Sequence, residues 1–490
     1  MICISINQES RRLALFDMFN AAPQCDLLEV RMDRFGKAPD IGEILTNKPK
    51  PVIMTCRRPA DGGMWEGSEE ERLALLRQCI ISKADYVEIE LDVADQVRRF
   101  PGCQRVISYT NLQETPEDIA DIYAQAQTKH PDVIKLVTLA RTPEEAWPLV
   151  HIVAKARVPT VVVGLGKPGV MLSVLGKKIG APWVYAALER GMESYPGQPT
   201  VSDLKDVYHY HAIGRGTRLI GVTGFGEREY LTVAVLNAAL THFELSARCW
   251  PLGVGNVRIL RKIMEAVKLA GVIVDPAHQQ AILEMAPQLH ATAKENGAAD
   301  ILLFKDEGWH AFHTASRAWI ESLCAAMKTT EATEQPLKDR MVVLAGLGGP
   351  TRTMAVEIHK RGGSVILASY RKKAVQQLAQ ALGCRFIQHD AIYSTLHNVL
   401  VICDEEKEES AGRGDLHPSY LKPGMVVMDL TASARPSEFL RQAQDRGCTV
   451  ITPQQLFLQQ IAQQARMLTG KHVPREVLER AIPESFAEEA

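Results

Sequence analysis

The feature that most limits how this chain can fold is a regular beat through its first two hundred residues. Short β-branched apolar runs alternate there with longer segments of helical spacing. CDLLEVRMD, PVIMTCR, YVEIELD, RVISYT, VIKLVT, PTVVVGL and PWVYAAL read as strands, and EERLALLRQCIISK and PEDIADIYAQAQTK between them place apolar residues at helical intervals. That is the rhythm of βα units. Seven or eight of them in roughly 200 to 250 residues imply a (β/α)8 barrel, a fold whose chemistry sits at the C-terminal ends of its strands.

The beat stops at His211–Thr217, HAIGRGT, and LIGVTGFG then opens a new strand and turn. A chain of 490 residues, 46% of them hydrophobic, is too long for one ordinary core. We expect a barrel over 1–212, a second α/β domain over 218–335, a nucleotide-binding domain over 336–450, and helices over 451–490 that return to the second domain. KTTEATEQPLKD, charged and without apolar period, precedes the nucleotide domain, and EEKEES near Glu405 reads as a solvated loop. The formal net charge of -2 leaves no positive excess for a nucleic-acid backbone or an anionic membrane, so small molecules are the expected partners. The ten cysteines form no CxxC pair or zinc spacing, and His209 and His211 have no carboxylate or cysteine at ligand distance in sequence, so no metal is expected. The cysteines read as reduced thiols. MICISINQESRR lacks the order of a signal peptide, and the apolar stretch from Val158 to Leu175 is interrupted by Gly164, Gly166, Lys167, Pro168 and Gly169. The cytoplasm is the expected location.

The strand ends of the first half collect polar residues: Glu29 and Arg31 in LEVRMD, Arg57 in TCRRPADGG, Glu88 and Glu90 in VEIELD, Lys135 in DVIKLVT, and Ser194 and Gln198 in SYPGQPTVSDL. The lysine inside a strand of Val, Ile and Leu carries the most weight, and two readings of it stand. It is either a barrel lysine paired to a carboxylate such as Glu88 or Glu90, or a desolvated amine able to attack a ketone and form an imine.

Taken in order, ExRxD, TxR followed by GG, ExEL, SY-N-TP, the strand lysine and PGQ resemble type I 3-dehydroquinate dehydratase over about the first 210 residues. The resemblance implies that Lys135 is the Schiff-base lysine, that Glu29, Arg31 and Arg57 bind substrate, and that Ser194 and Gln198 lie in a loop closing over it. Four positions depart from the family pattern. Thr110 stands where the family has its catalytic histidine, Leu172 and Ser173 replace an SR pair, and Asp61 replaces a glutamate. A hydroxyl cannot serve as a base near neutrality, a role worth about 10²–10⁴ in rate. Loss of the arginine removes a carboxylate clamp for which Lys167 could substitute only in charge.

The second half resembles shikimate dehydrogenase over about 270 residues. LIGVTGFGEREYLTVAVLN matches the opening in which paired serines bind the substrate carboxylate, here Tyr230 and Thr232, with Val233 in place of proline. GVIVDPAHQQ matches the segment bearing the catalytic lysine, whose place falls to Gln279. His313, Thr314 and Ala315 stand for the family's Asn-Thr-Asp, Asp300 stands for an asparagine, and Gln460 is retained. His278 and His313 lie within these altered motifs as substitute acid/base candidates.

MVVLAGLGGPTRTMAVEIHKRGG reads as strand, glycine turn and helix, with Gly346, Gly348 and Gly349 letting a pyrophosphate approach the helix N-terminus and Pro350 suited to its first turn. SVILASYRKK then ends on Arg371, Lys372 and Lys373 and has no acid for a free ribose 2′-hydroxyl, which favours NADP over NAD. A turn that binds nothing is the alternative. The resemblance as a whole implies a shikimate-pathway enzyme that dehydrates 3-dehydroquinate and reduces 3-dehydroshikimate with NADPH, with a homodimer compatible. The competing readings are a pair of folds redirected to another keto-acid or cyclitol, and a silent metabolite- or NADP-binding protein.

Overall fold

In the computed structural model, which describes residues 1–37, 40–306, 308–328, 335–347, 349–403, 416–431 and 436–482, the alternating pattern becomes eight parallel strands. They are β1 (Ile2–Ile6), β2 (Leu27–Arg31), β3 (Val52–Thr55), β4 (Tyr86–Glu90), β5 (Gln104–Asn111), β6 (Val133–Leu139), β7 (Thr160–Leu165) and β8 (Val184–Ala186). The hydrogen-bonded order is β7-β6-β5-β4-β3-β2-β1-β8, with consecutive strands adjacent, as a (β/α)8 barrel requires. Alternate residues of each strand face inward. Cys3, Leu27, Ile53, Val106, Val133, Val161 and Trp183 pack together as one buried cluster inside the barrel, while Ile2, Ile4, Leu28 and Val30, on the other face of their strands, are equally buried. The β1 sequence, CIS at positions 3 to 5, shows the change of character along one face: Cys3 joins the apolar plug and Ser5 meets Glu29.

The chain forms two compact units, Met1–Phe225 with Ser246–Leu269, and Gly226–Leu245 with Ala270–Ala490. The loop at 211–217 therefore lies inside the first unit, which also holds β9 (Arg218–Thr223) and its parallel partner β10 (Ala247–Leu252). Their place there has a packing reason. The Trp250 indole on β10 donates to the Met171 carbonyl of the barrel helix Val170–Ile179 at 3.0 Å and meets Trp147 edge-on.

The second unit contains β11 (Leu269–Ile273), β12 (Gln288–Leu289), β13 (Ile301–Lys305) and β14 (Gly308–Phe312), with β13 antiparallel to both β11 and β14. It also contains six parallel strands, β15 (Met341–Ala345), β16 (Ser364–Ser369), β17 (Arg385–Gln388), β18 (Val399–Ile402), β19 (Val426–Asp429) and β20 (Thr449–Ile451), in the order β17-β16-β15-β18-β19-β20. That order reverses beside the first strand, which is the Rossmann arrangement with its ligand crevice at the switch point. Both faces are covered. Val342, Leu344, Val365 and Leu367 pack with Met354, Ile358 and Val375 on one side, and Val343, Ile366 and Leu400 pack with Leu440 and Ala443 on the other. The fold class expected from the sequence, a barrel followed by α/β and Rossmann parts, is the one observed. The linker at 329–334, Gly348, and the EEKEES segment lie outside the described residues.

Candidate active site

The barrel holds a charged centre built from five strands and the loop after β3. Lys135, 2% exposed on β6, places Nζ 2.8 Å from Glu29 Oε1 and 2.9 Å from Glu88 Oε2. Glu29 Oε1 also accepts from Arg57 Nη2 at 2.7 Å and from the Tyr185 hydroxyl at 2.9 Å, and its Oε2 accepts from Ser5 Oγ at 2.7 Å. Arg57 reaches Glu88 Oε2 at 3.3 Å, so two carboxylates and two cations share one site. Burial alone would raise Glu29, but Arg57, Lys135 and Arg31 outweigh it and hold its carboxyl well below the ordinary range. The Tyr185 hydroxyl is pushed well up by burial and by Glu29, and so remains a donor. The lysine is thus paired and buried at once, and its partners are Glu29 and Glu88. Glu90, the other carboxylate considered for it, pairs instead with the fully buried Arg72, whose Nη1 lies 2.9 Å from Glu90 Oε1.

Above this centre lies a cavity of ≈ 410 Å³ lined by strand ends and following loops, among them Ser5, Glu29, Arg31, Arg57, Thr110, Lys135, Tyr185, Ser194 and Gln198. The sequence-expected residues are therefore brought together, but they are engaged differently. Arg31 spends its fork on Asp33, at 2.9 and 2.7 Å, with a weaker contact to the Gly62 carbonyl. Asp33 in turn accepts from the Arg57 and Met64 amides, so this pair shapes the loop that presents Arg57. A Cβ on Gly63 would fall 2.0 Å from the Arg57 carbonyl oxygen, which explains the second glycine of the loop. Ser194 Oγ accepts from Asn7, and its amide donates to Gln198 Oε1 at 2.6 Å, which fastens the loop after β8 to the cavity rim.

Glu90 supplies a stability signature. Burial pushes its carboxyl up to about 7 in spite of Arg72. A raised acid favours the folded state while protonated, so its contribution is complete below about 4.5 and is lost as pH rises through about 7. Urea unfolding of Glu90→Gln is expected to show a flatter dependence on pH across that window than the parent chain. Equal slopes would exclude this assignment.

The second unit has its own cavity of ≈ 1040 Å³, lined among others by Arg228, Gln279, His313, Trp319, Gly349, Thr353 and Gln460. Asp300, fully buried, accepts from Thr314 N at 2.7 Å, Thr314 Oγ1 at 2.8 Å, Ala315 N at 2.7 Å and Gln460 Nε2 at 3.1 Å. Thr232 turns its hydroxyl back to the Arg228 carbonyl at 2.8 Å and is spent within its helix. Burial lowers the His313 pKa against the pull of Asp300. His278 pairs with Asp275 at 2.7 Å. Where β15 ends, Gly346 has φ +97°, and Thr351 Oγ1 closes the turn onto its carbonyl at 2.9 Å before the helix Gly349–Lys360. A Cβ on Gly349 would meet nothing within 4 Å, so the helix N-terminus is open on that side. Arg371 follows β16 and caps the helix Lys372–Leu382.

A model of type I 3-dehydroquinase matches residues 2–215. The 3-dehydroquinate dehydratase of Methanopyrus kandleri is 34% identical over 187 residues, 37% of this chain and 85% of its own length. The chain belongs to the type I 3-dehydroquinase family. Similarity runs past the dehydroquinase barrel: the bifunctional 3-dehydroquinate dehydratase/shikimate dehydrogenase, chloroplastic, of Arabidopsis thaliana is 27% identical over 478 residues, 92% of this chain and 79% of its own length. The solved dehydroquinate dehydratase and shikimate dehydrogenase from S. pombe AroM covers 98% of both chains at 17% identity, with a TM-score of 0.45.

In this dehydroquinase the departures from pattern can be placed. Thr110 lies on the cavity wall beside Val137, its β6 partner, two residues past the Ser108 that pairs with Lys135. It therefore shares the lysine's inward face, one step nearer the mouth. Ser173 is buried in the barrel helix and Lys167 is exposed. Sequence reading did not single out Ser5, Asp33, Tyr185 or Arg228. A lone hydroxyl in ICISI and a tyrosine in WVYAAL were available signals; Arg228, in a helical segment of mixed polarity, offered none.

Proposed function

We propose that the barrel dehydrates 3-dehydroquinate to 3-dehydroshikimate through an imine on Lys135. The observation that carries this reading is the buried lysine held between Glu29 and Glu88 at the floor of a cavity, in a chain of the type I 3-dehydroquinase family. For attack, the ammonium passes a proton to Glu88, whose Oε2 lies 2.9 Å from its Nζ. The freed amine bonds to the ketone carbon, whose oxygen takes up protons and leaves as water. The resulting C=N bond acidifies the neighbouring carbon. Loss of its proton sends an electron pair through the conjugated system to expel the β-hydroxyl as a second water, and hydrolysis of the imine returns the lysine. Arg57, with Ser194 and Gln198 at the rim, orients the substrate.

The second half we read as the reductive partner, converting 3-dehydroshikimate to shikimate with NADP(H). The glycine turn at Gly346 and Gly349 suits the pyrophosphate, with Gly348 between them, and Arg371 suits a 2′-phosphate. NADPH, when bound, supplies the hydride. Gln279 and Ala315 cannot deliver a proton to the developing alkoxide, so this reaction is expected to be the slower of the two, by about 10²–10⁴ relative to a site with a competent donor. Among the described residues no helix is long and apolar enough to cross a membrane, and all ten cysteines are free, which supports the cytoplasm as its location.

Steady-state assays of the intact chain test the assignment. Dehydration of 3-dehydroquinate should be measurable, and NADPH oxidation with 3-dehydroshikimate should lie close to background. Arg371→Ala should weaken NADP+ binding by roughly 10- to 100-fold and leave NAD+ unchanged. Absence of dehydration would overturn the barrel assignment, robust NADPH turnover the ranking, and unchanged nucleotide preference the role of Arg371.

A further inference from the structure

We infer that Arg228 is the carboxylate anchor of the second cavity. The inference rests on reading this half as a keto-acid reductase, and it supplies what the hydroxyl positions no longer can: Thr232 is committed to its own helix. Arg228 stands in the first turn of the helix Glu227–His242 and lines the cavity with Gln279, His313 and Gln460. Its orientation is fixed by a chain of one-way hydrogen bonds. Asp300, fully buried, can only accept, and it takes the Gln460 Nε2 donor at 3.1 Å. The amide oxygen of Gln460 must then face the other way, where it accepts from Arg228 Nη2 at 2.8 Å.

The guanidinium is therefore held by a neutral amide rather than by a carboxylate. Among the described residues it forms no ion pair, and none but Gln460 accepts from its N–H groups. Glu227, Glu229 and Asp429 also line the cavity, but none forms an ion pair with the guanidinium among the described residues; Glu229 accepts from the Gly226 amide at 3.0 Å and Asp429 from Thr431 at 2.9 and 2.7 Å. A fixed planar fork bound to a neutral amide, with Glu229 and Asp300 acting on it only from beyond ion-pair distance, is a receptor for a planar anion, with the rest of a small polyhydroxy ring reaching toward His313 and Gln279.

Calorimetry on the intact chain saturated with NADP+ tests this, with shikimate and quinate as probes. Arg228→Gln should weaken the carboxylate that binds the parent chain by roughly 10- to 100-fold, and Arg228→Lys by less, because the charge persists without the fork. Shikimate methyl ester should bind the parent as weakly as shikimate binds Arg228→Gln. NADP+ affinity should stay within about twofold, which separates a substrate carboxylate from a nucleotide phosphate. The retained NADP+ affinity also reports that the second unit of each variant is folded. If quinate binds and shows this loss while shikimate does not bind, the anchor stands and the shikimate reading of the half falls. Unchanged carboxylate affinity in Arg228→Gln, a parallel loss of NADP+ affinity, or a parent chain that binds neither acid overturns the anchor.

Discussion

Lys135→Met is expected to reduce dehydratase kcat by at least about 10⁴-fold, because no other group on the cavity floor can form the imine. The substitution also has a structural cost. It leaves Glu29 and Glu88 in the barrel interior with Arg57 as the remaining cation in direct contact, and removing one partner of a buried ion pair typically costs about 3–5 kcal/mol. Lys135→Arg separates the two effects. A guanidinium keeps the charge between the carboxylates but cannot become an imine, so this variant should retain most of the stability and lose the activity to a similar extent. Urea unfolding and steady-state kinetics on both variants give the comparison. Activity of Lys135→Arg within about tenfold of the parent would exclude covalent catalysis at this lysine.

Thr110→His is expected to raise dehydratase kcat by about 10²–10⁴-fold. The described residues lining the barrel cavity include no histidine or cysteine; of its carboxylates, Asp61 is paired with Arg58 at 2.8 Å, Glu193 accepts from the Gly191 amide at 2.7 Å, and Glu29 is held in the ionised form by three cations, which makes it a poor base. Thr110 shares the inward face of Lys135 one step closer to the mouth, so an imidazole there would stand over the carbon next to the imine. The gain should appear in kcat more than in KM, since the added group acts on a proton transfer and makes no new ground-state contact. Its pH profile should acquire a limb near the ordinary histidine pKa, about 6.5. An unchanged kcat and profile would mean that another group already moves this proton.

Much of the fold was legible because two periods dominate the sequence. The βα rhythm fixes parallel strands, and the order of polar residues at strand ends, Glu29, Arg57, Glu88 and Lys135, survives folding as one cluster. The pairing within that cluster was harder to read. Glu88 and Glu90 are two residues apart on β4 and both buried, yet one meets Lys135 while the other is claimed by Arg72, a helix residue of EERLALLRQCIISK whose partner is set only by helix packing on the barrel. Arg31 illustrates a second limit. Its side chain reaches the cavity as expected, but Asp33, two residues on, takes up its fork, a local competition that the ExRxD spacing contains and substrate-centred reading overlooks. Arg228 illustrates a third. Only Asp300, just before β13, and the C-terminal helix that carries Gln460 give its guanidinium a direction, and the Arg228–Gln460 contact spans 232 residues of sequence.

The most direct test of the covalent reading is borohydride reduction of the intact chain in the presence of 3-dehydroquinate, followed by digestion and mass spectrometry. The expected result is one stoichiometric adduct of reduced ligand on the peptide containing Lys135, absent from Lys135→Arg. No adduct, or an adduct distributed over exposed lysines and undiminished in that variant, would contradict it.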